Sequence, residues 1–319
     1  MAAPALPAAA ALYGVAADDL IALGAFESDV YSFDGPHGPS ILKVIAEDHR
    51  QPDQVQAEVD WLLALVEGGV PVSEPLKAQT GRYVEHLPEA GRVLVAFRRA
   101  PGAATRAPDW TDEMLEGGGA RLGRLQAHSR GLTPPGPRRR TLAEQSYVAN
   151  VAEVMRDEPE FTHAALELMD RAAPLLTHGA DSGLIHADLH QHNLLLHDES
   201  WTAIDFDDCS YGSYAFDLAM PLFYMLRAQS AVPAVAAAAR FLPPFLRGFR
   251  RHAPDPLDGA EAVAACLNLR QAELVVALRM KIADDQWTDY LRGVERDLRT
   301  SVAKGEDVLA VNELRRWLE

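Results

Sequence analysis

The sequence predicts an α+β chain in two lobes, a small β-rich lobe over residues 1–97 and a larger α-helical lobe over residues 98–319. Three observations carry this. Short apolar segments punctuated by Gly and Pro turns dominate the first hundred residues, one long amphipathic helix interrupts them, and after Pro101-Gly102 most apolar patterns take helical spacing.

The opening MAAPALPAAAALYGV is apolar, but it has no Lys or Arg ahead of the apolar stretch and is broken by Pro4 and Pro7. It makes a poor signal peptide and reads as a frayed tail. Residues 22–44 hold two strand patterns joined by the turn GPHGP, a hairpin. In PDQVQAEVDWLLALVEGG, Val55, Val59, Leu62 and Val66 share a helical face, with Asp53 near the start and Gly68-Gly69 as a stop. Strands follow around GRYVEHL and GRVLVAFRR. GLTPPGPRRR, residues 131–140, reads as a surface loop of the second lobe, with Arg138 to Arg140 as a solvated charge run. Helices are expected at roughly 214–228, 232–250, 259–283, 285–300 and 306–318.

Composition narrows the function classes. No apolar run reaches spanning length, so no membrane segment is expected. Two cysteines, Cys209 and Cys266, are too few to staple the chain and form no close metal-binding pair, which fits a reducing cytoplasm. A net charge of −16 repels polyanions, so nucleic acid is not an expected partner, while a cationic small molecule is attracted.

Residues 184–220, LIHADLHQHNLLLHDESWTAIDFDDCSYGSYAFDLAM, hold the chemistry. His186-x-Asp188 is followed by Asn193 on one short loop, and the strand-like Leu194–Leu196 and Trp201–Ile204 form a hairpin that carries Asp205 back beside it. Phosphoryl transfer needs a carboxylate to orient the attacking hydroxyl and oxygen ligands for a hard cation, and Asp188, Asn193 and Asp205 supply those groups. A zinc set of His186, Asp188 and His190 is the competing reading, but it leaves Asn193 and Asp205 unexplained. Upstream, Lys43 is flanked by Ile41, Leu42, Val44 and Ile45; it either meets an anion or faces water from an edge strand.

HADLHQHN followed by IDFDD and FDLA resembles the catalytic core of the aminoglycoside phosphotransferase family, whose superfamily includes choline kinases, type II homoserine kinases and the bacterial stress response kinase. GGVPVSEPL and LGRLQAHS extend the resemblance over most of the chain. It implies a bilobal protein-kinase-like fold with ATP between the lobes and Mg²⁺ as cofactor. Carried over by motif, Asp188 is the catalytic base, Asn193 and Asp205 are Mg²⁺ ligands, and Lys43 contacts the α- and β-phosphates with Glu58 as its partner; Asp207 is open to three readings, an additional metal ligand, a residue facing a cationic acceptor, or a solvated loop acid. The resemblance also places Gly24 in the phosphate-covering turn LGAFES, the adenine against Ala96, Phe97 and Arg98, Asp217 as the loop anchor, and His186 and His190 as braces. Three departures stand out: a single glycine in LGAFES, His192 where the family often has glycine, and Ala187 for the usual glycine.

The expected acceptor is a small hydroxylated molecule, cationic if Asp208, Tyr211, Glu273 and Asp284 face it, such as an aminoglycoside, choline or homoserine. Those four are equally good surface residues. The rival readings are a protein Ser/Thr kinase of the stress response kinase type and a nucleotide-binding regulatory pseudoenzyme.

Overall fold

A computed structural model describes residues 5–24, 28–106, 109–176, 181–255 and 259–319. The chain divides into two units, one of residues 1–102 with 133–139 and 202–207, the other of residues 103–132, 140–201 and 208–319.

In the first unit, α1 (Ala5–Leu12) precedes β1 (Ile21–Ala22), β2 (Asp29–Gly35) and β3 (Gly38–Ala46); α2 (Pro52–Glu67) follows, then β4 (Pro75–Leu76), β5 (Val84–Leu87) and β6 (Arg92–Arg98). The strands form one antiparallel sheet in the order β1-β2-β3-β6, with β4 and β5 both paired to β6. Register sorts the side chains by face: Leu42 lies opposite Ala96 and Val44 opposite Leu94, while Lys43 lies opposite Val95 and Ile45 opposite Val93. The Leu42 face shares a core with Ala9, Ala10 and Tyr13. Residues 5–12 are therefore a helix packed on the sheet and not a frayed tail, because small alanine side chains let the helix close on it; residues 1–4 lie outside the described residues. Pro7 is tolerated in the first turn, where its missing N–H has no helical partner to lose. α2 packs against β4, β5 and β6 and buries Val55, Val59, Trp61, Leu62 and Leu65.

Residues 133–139 group with this unit and not with the helical one. The cause is Arg139, buried and donating to the carbonyls of Gln54 (2.7 Å) and Asp207. Arg138 is exposed, so the run is solvated only in part.

In the second unit come β7 (Ala103–Ala104), α3 (Asp112–Ser129), the single turns α4 (Ser146–Ala149) and α5 (Val151–Val154), α6 (Pro159–Leu176), β8 (Ser182–Ile185), β9 (Leu194–His197) and β10 (Ser200–Ala203), whose last two residues belong to the first unit. Then follow β11 (Ser210–Ser213), α7 (Tyr214–Ala228), α8 (Ala234–Phe249), α9 (Gly259–Lys281), α10 (Asp289–Ala303) and α11 (Val311–Leu318). α10 starts later than its sequence pattern suggested because Thr288 caps it, its hydroxyl accepting from Leu291 N–H. α9 is buried on nearly every side, against α6, α7, α10 and α11. No helix among the described residues is long and apolar enough to cross a membrane.

α3 and α8 approach backbone to backbone. A Cβ on Gly119 would strike the Phe245 carbonyl, one on Gly123 the Phe249 carbonyl, and one on Gly248 the Glu116 carbonyl. Because backbone cannot move aside as a side chain can, Gly119→Ala is expected to destabilise the protein by about 1–3 kcal/mol, measured as a loss in unfolding free energy in urea.

Candidate active site

The loop between β8 and β9 begins with a buried turn. β8 pairs with β11, and Asp217, one turn into α7, is fully buried beneath the loop. Its two carboxylate oxygens accept the His186 and Ala187 N–H groups, both at 2.8 Å. These bonds hold Ala187 at φ 64°, a left-handed conformation that costs an alanine about 1–2 kcal/mol. His186 is buried, and its Nδ1 accepts the Asp188 N–H at 3.4 Å. Further along, Asn193 N–H donates to the His190 carbonyl (2.9 Å), and its side-chain amide donates to the Asp188 carbonyl (3.0 Å), which turns the amide oxygen away from that bond.

The Asp188 carboxylate has two unequal oxygens. Oδ1 accepts from Arg270 Nη2 at 2.7 Å and from the Tyr224 hydroxyl at 3.2 Å, while Oδ2 has His190 Nε2 at 3.4 Å. Arg270 also donates to the Tyr224 oxygen at 2.5 Å and lies 3.5 Å from Glu273. Burial alone would raise the Asp188 pKa, but Arg270 and His190 outweigh it and hold the carboxyl well below the usual range. Glu273 goes the other way: burial pushes it up to about 7 against the pull of Arg270, helped by Asp208 and Asp188. Its Oε1 has no hydrogen-bond partner among the described residues.

The first unit holds a second charged cluster. Asp205, at φ 62°, and Asp207 flank Phe206, which is buried with its ring edge-on to Trp61 (5.1 Å). Lys43 Nζ lies 2.5 Å from Asp205 and 2.7 Å from Asp207. Burial would lower the Lys43 pKa, but Asp207, Asp205 and Glu58 overcome it and keep the ammonium charged. Glu58 has Arg50 at 3.6 Å as its ion-pair partner and acts on Lys43 only through its field. Arg50 also lies 3.7 Å from Asp207, whose carboxyl is held well below its usual range: burial opposes this, and Lys43 and Arg50 prevail. The Asp205 side chain is 46% exposed and Asp207 only 15%, so Asp205 is the carboxylate open to a cation. A carboxylate oxygen and an amide oxygen such as that of Asn193 in the second unit are each hard donors of the kind Mg²⁺ prefers.

The remaining expectations fall out unevenly. Gly24 is exposed at φ 73°, a conformation suited to glycine, but the centre of its turn, residues 25–27, lies outside the described residues. Ala96 and Phe97 are buried within β6; the Arg98 and Arg99 N–H groups are spent on the Glu74 and Pro39 carbonyls, so neither is available to adenine. Asp208 is half-buried and acts on Glu273, whereas Tyr211 is buried in β11 opposite Leu184. Asp284 is removed from this group: with Trp287, Arg279, Arg292, Glu295 and Arg296 it lines a separate cleft of about 640 Å³, because the chain turns away between α9 and α10. His192 is exposed and packs edge-on to His190 at 5.5 Å. Among the described residues, no three His, Cys, Asp or Glu side chains, His186, Asp188 and His190 included, are grouped to hold a metal. Sequence reasoning missed Arg270 and gave Tyr224 no role at Asp188. The available signal was an arginine three residues before a glutamate in the middle of a long helix.

Glu273 makes stability depend on pH. Its folded pKa of about 7 exceeds the ordinary glutamate value of 4.5, so the folded state binds the proton more tightly; the stabilisation is full below the unfolded pKa and is lost as pH rises through the folded one. Glu273→Gln is therefore expected to shrink the loss of unfolding midpoint temperature between pH 5 and pH 8. An unchanged pH dependence in the variant would contradict this assignment.

The phosphotransferase enzyme family model, APH, matches residues 20–257. The amicoumacin kinase of Bacillus subtilis (strain 168) is 29% identical over 252 residues, covering 76% of this chain and 75% of the relative. Among solved structures, an amicoumacin kinase in complex with AMP-PNP, Ca²⁺ and Ami superposes with a TM-score of 0.86 at 22% identity, covering 98% of this chain and 96% of the other. A microcompartment-associated aminopropanol kinase gives 0.73 at 23% identity, with 94% and 95% covered. A spectinomycin phosphotransferase gives 0.55 at 14% identity, with 92% and 93% covered. With three quarters of its length matched by the family model, this chain belongs to the phosphotransferase enzyme family.

Proposed function

We propose that this phosphotransferase moves the γ-phosphate of ATP to a hydroxyl of a small, amine-bearing acceptor. The carrying observation is the asymmetry of Asp188: Arg270 and Tyr224 occupy Oδ1, while Oδ2, with His190 Nε2 at 3.4 Å, is the less occupied oxygen, to which an acceptor hydroxyl can donate. In this reading Asp188 orients that hydroxyl and takes its proton as the oxygen–phosphorus bond forms. The strongly lowered pKa suits late proton transfer, in which the carboxylate mainly aims the nucleophile.

Asn193, through its amide oxygen, and Asp205 would hold Mg²⁺, which when bound supplies charge neutralisation for the phosphate oxygens. Lys43 would turn its ammonium from Asp205 and Asp207 toward the α- and β-phosphates. Asp207 is better suited to fix Lys43 and Arg50 than to bind the metal, since both cations already converge on its Oδ1. Glu273 supports an amine on the acceptor: its buried, unpartnered Oε1 could receive an ammonium or amide N–H. Two structural relatives are named for aminopropanol and spectinomycin, and the curated one for amicoumacin, which favours a small molecule over a protein substrate.

The test is acceptor-dependent ADP release with Mg-ATP over a panel of amino alcohols, aminoglycosides, amicoumacin, choline, homoserine and a generic protein. Asp188→Asn is expected to lower kcat by about 10²–10⁴-fold with nucleotide binding retained; full activity in that variant would sink the assignment. Phosphate appearing on protein alone would favour the protein-kinase reading. Arg270→Met should raise the Asp188 pKa, so the acidic limb of the kcat/KM profile moves to higher pH; an unmoved limb would show that Arg270 does not set the charge of the base.

A further inference from the structure

Arg121 differs from the other buried arginines. Arg139 donates to two backbone carbonyls, Arg270 meets Asp188, Tyr224 and Glu273, and Arg50 lies beside Glu58 and Asp207. Arg121 is 7% exposed, yet its Nε and Nη1 have no hydrogen-bond partner among the described residues. A buried guanidinium in that condition forfeits its hydration with nothing in return.

Its neighbours are also basic side chains. Arg124 and His128 follow at i+3 and i+7 on α3, on the same side of the helix, both exposed. The end of α8 runs alongside, since Gly123 abuts the Phe249 carbonyl, and His252 N–H donates to that same carbonyl at 3.1 Å. Burial, then the charges of Arg124, Arg121, Arg251 and His128, push the His252 pKa down; burial and Arg124 push Arg121 down to about 10. No carboxylate is among those influences. Glu116, on the same helix, is already shared by Arg247 and Arg251. In a chain of net charge −16, this grouping of basic side chains around the buried Arg121 guanidinium stands against the sign of the whole.

We propose that Arg121, Arg124, His128 and His252 form an anion site on the α3–α8 face that takes a compact oxyanion, a free phosphate or the phosphate group of a monoester. The Arg121 guanidinium offers N–H donors to a tetrahedral oxyanion, Arg124 adds a second cation, and His128 and His252 bring ring nitrogens that can donate. The site draws on none of the residues assigned to phosphoryl transfer, so it can be tested independently of that reaction.

The test is titration calorimetry with inorganic phosphate, and separately with glycerol phosphate, at ionic strength held constant with chloride. Wild type, Arg121→Met and the double variant Arg124→Gln/His252→Gln are compared. Saturable binding to wild type is expected, about tenfold weaker in both variants. The tighter of the two ligands identifies the source of the phosphate, and either order supports the site. Equal affinity in wild type and both variants, or no saturable heat in wild type up to about 20 mM phosphate, would overturn the proposal. If Arg121→Met fails to fold, the double variant, which leaves Arg121 in place, carries the comparison.

Discussion

A carboxylate in an apolar setting tends to keep its proton, and Asp188 escapes that fate because of one guanidinium. Arg270, itself buried, sits 2.7 Å from Oδ1 and reverses the effect of desolvation. The arrangement is mutual, since an unpaired buried arginine would cost several kcal/mol in effective desolvation. Tyr224 shares the contact, and Glu273 lies on the other side of the guanidinium. The long helix α9 thus presents from within the helical unit the charge that a short loop could not provide for itself.

The first unit solves the same problem differently. Lys43, Arg50 and Arg139 face Asp205, Asp207 and Glu58, and the buried charges compensate one another inside a network of side chains and carbonyls. Burial and Asp207 drive Glu58 up to about 7, while Lys43, Arg139 and Arg50 pull it down. Such a network fixes the Asp-Phe-Asp segment through three independent grips: the Phe206 ring on Trp61, the ammonium between the aspartates, and Arg139 on the Asp207 carbonyl.

Much of this was legible in the sequence. Asp188, Asn193 and Asp205 stood out because polar residues at fixed spacing were framed by apolar strands, and Lys43 because a lone charge sat in an apolar run. The five late helices were readable from period and punctuation. Arg270 was not, because α9 is buried nearly all round: when polar residues are not gathered on one face, periodicity cannot say which way an arginine points, and its partner lies 82 residues away in the chain. Arg139 hid within a run of three arginines, although it is buried and donates to carbonyls of α2 and the Asp-Phe-Asp segment. The alanine-rich opening looked like a tail because its role depends on a sheet face that pairing alone creates.

That opening helix has a consequence for handling the protein. Ala9 and Ala10 are enclosed, and Leu42, Val44, Leu94 and Ala96 lie in the same core. Shortening the chain at its start, or fusing a bulky partner close to residue 5, would turn that face of the sheet toward water. Each exposed Val or Leu would then cost about 1.5–3 kcal/mol. The sheet would gain a sticky apolar surface, so a shortened protein would be expected to associate or precipitate before it lost its strand pairing.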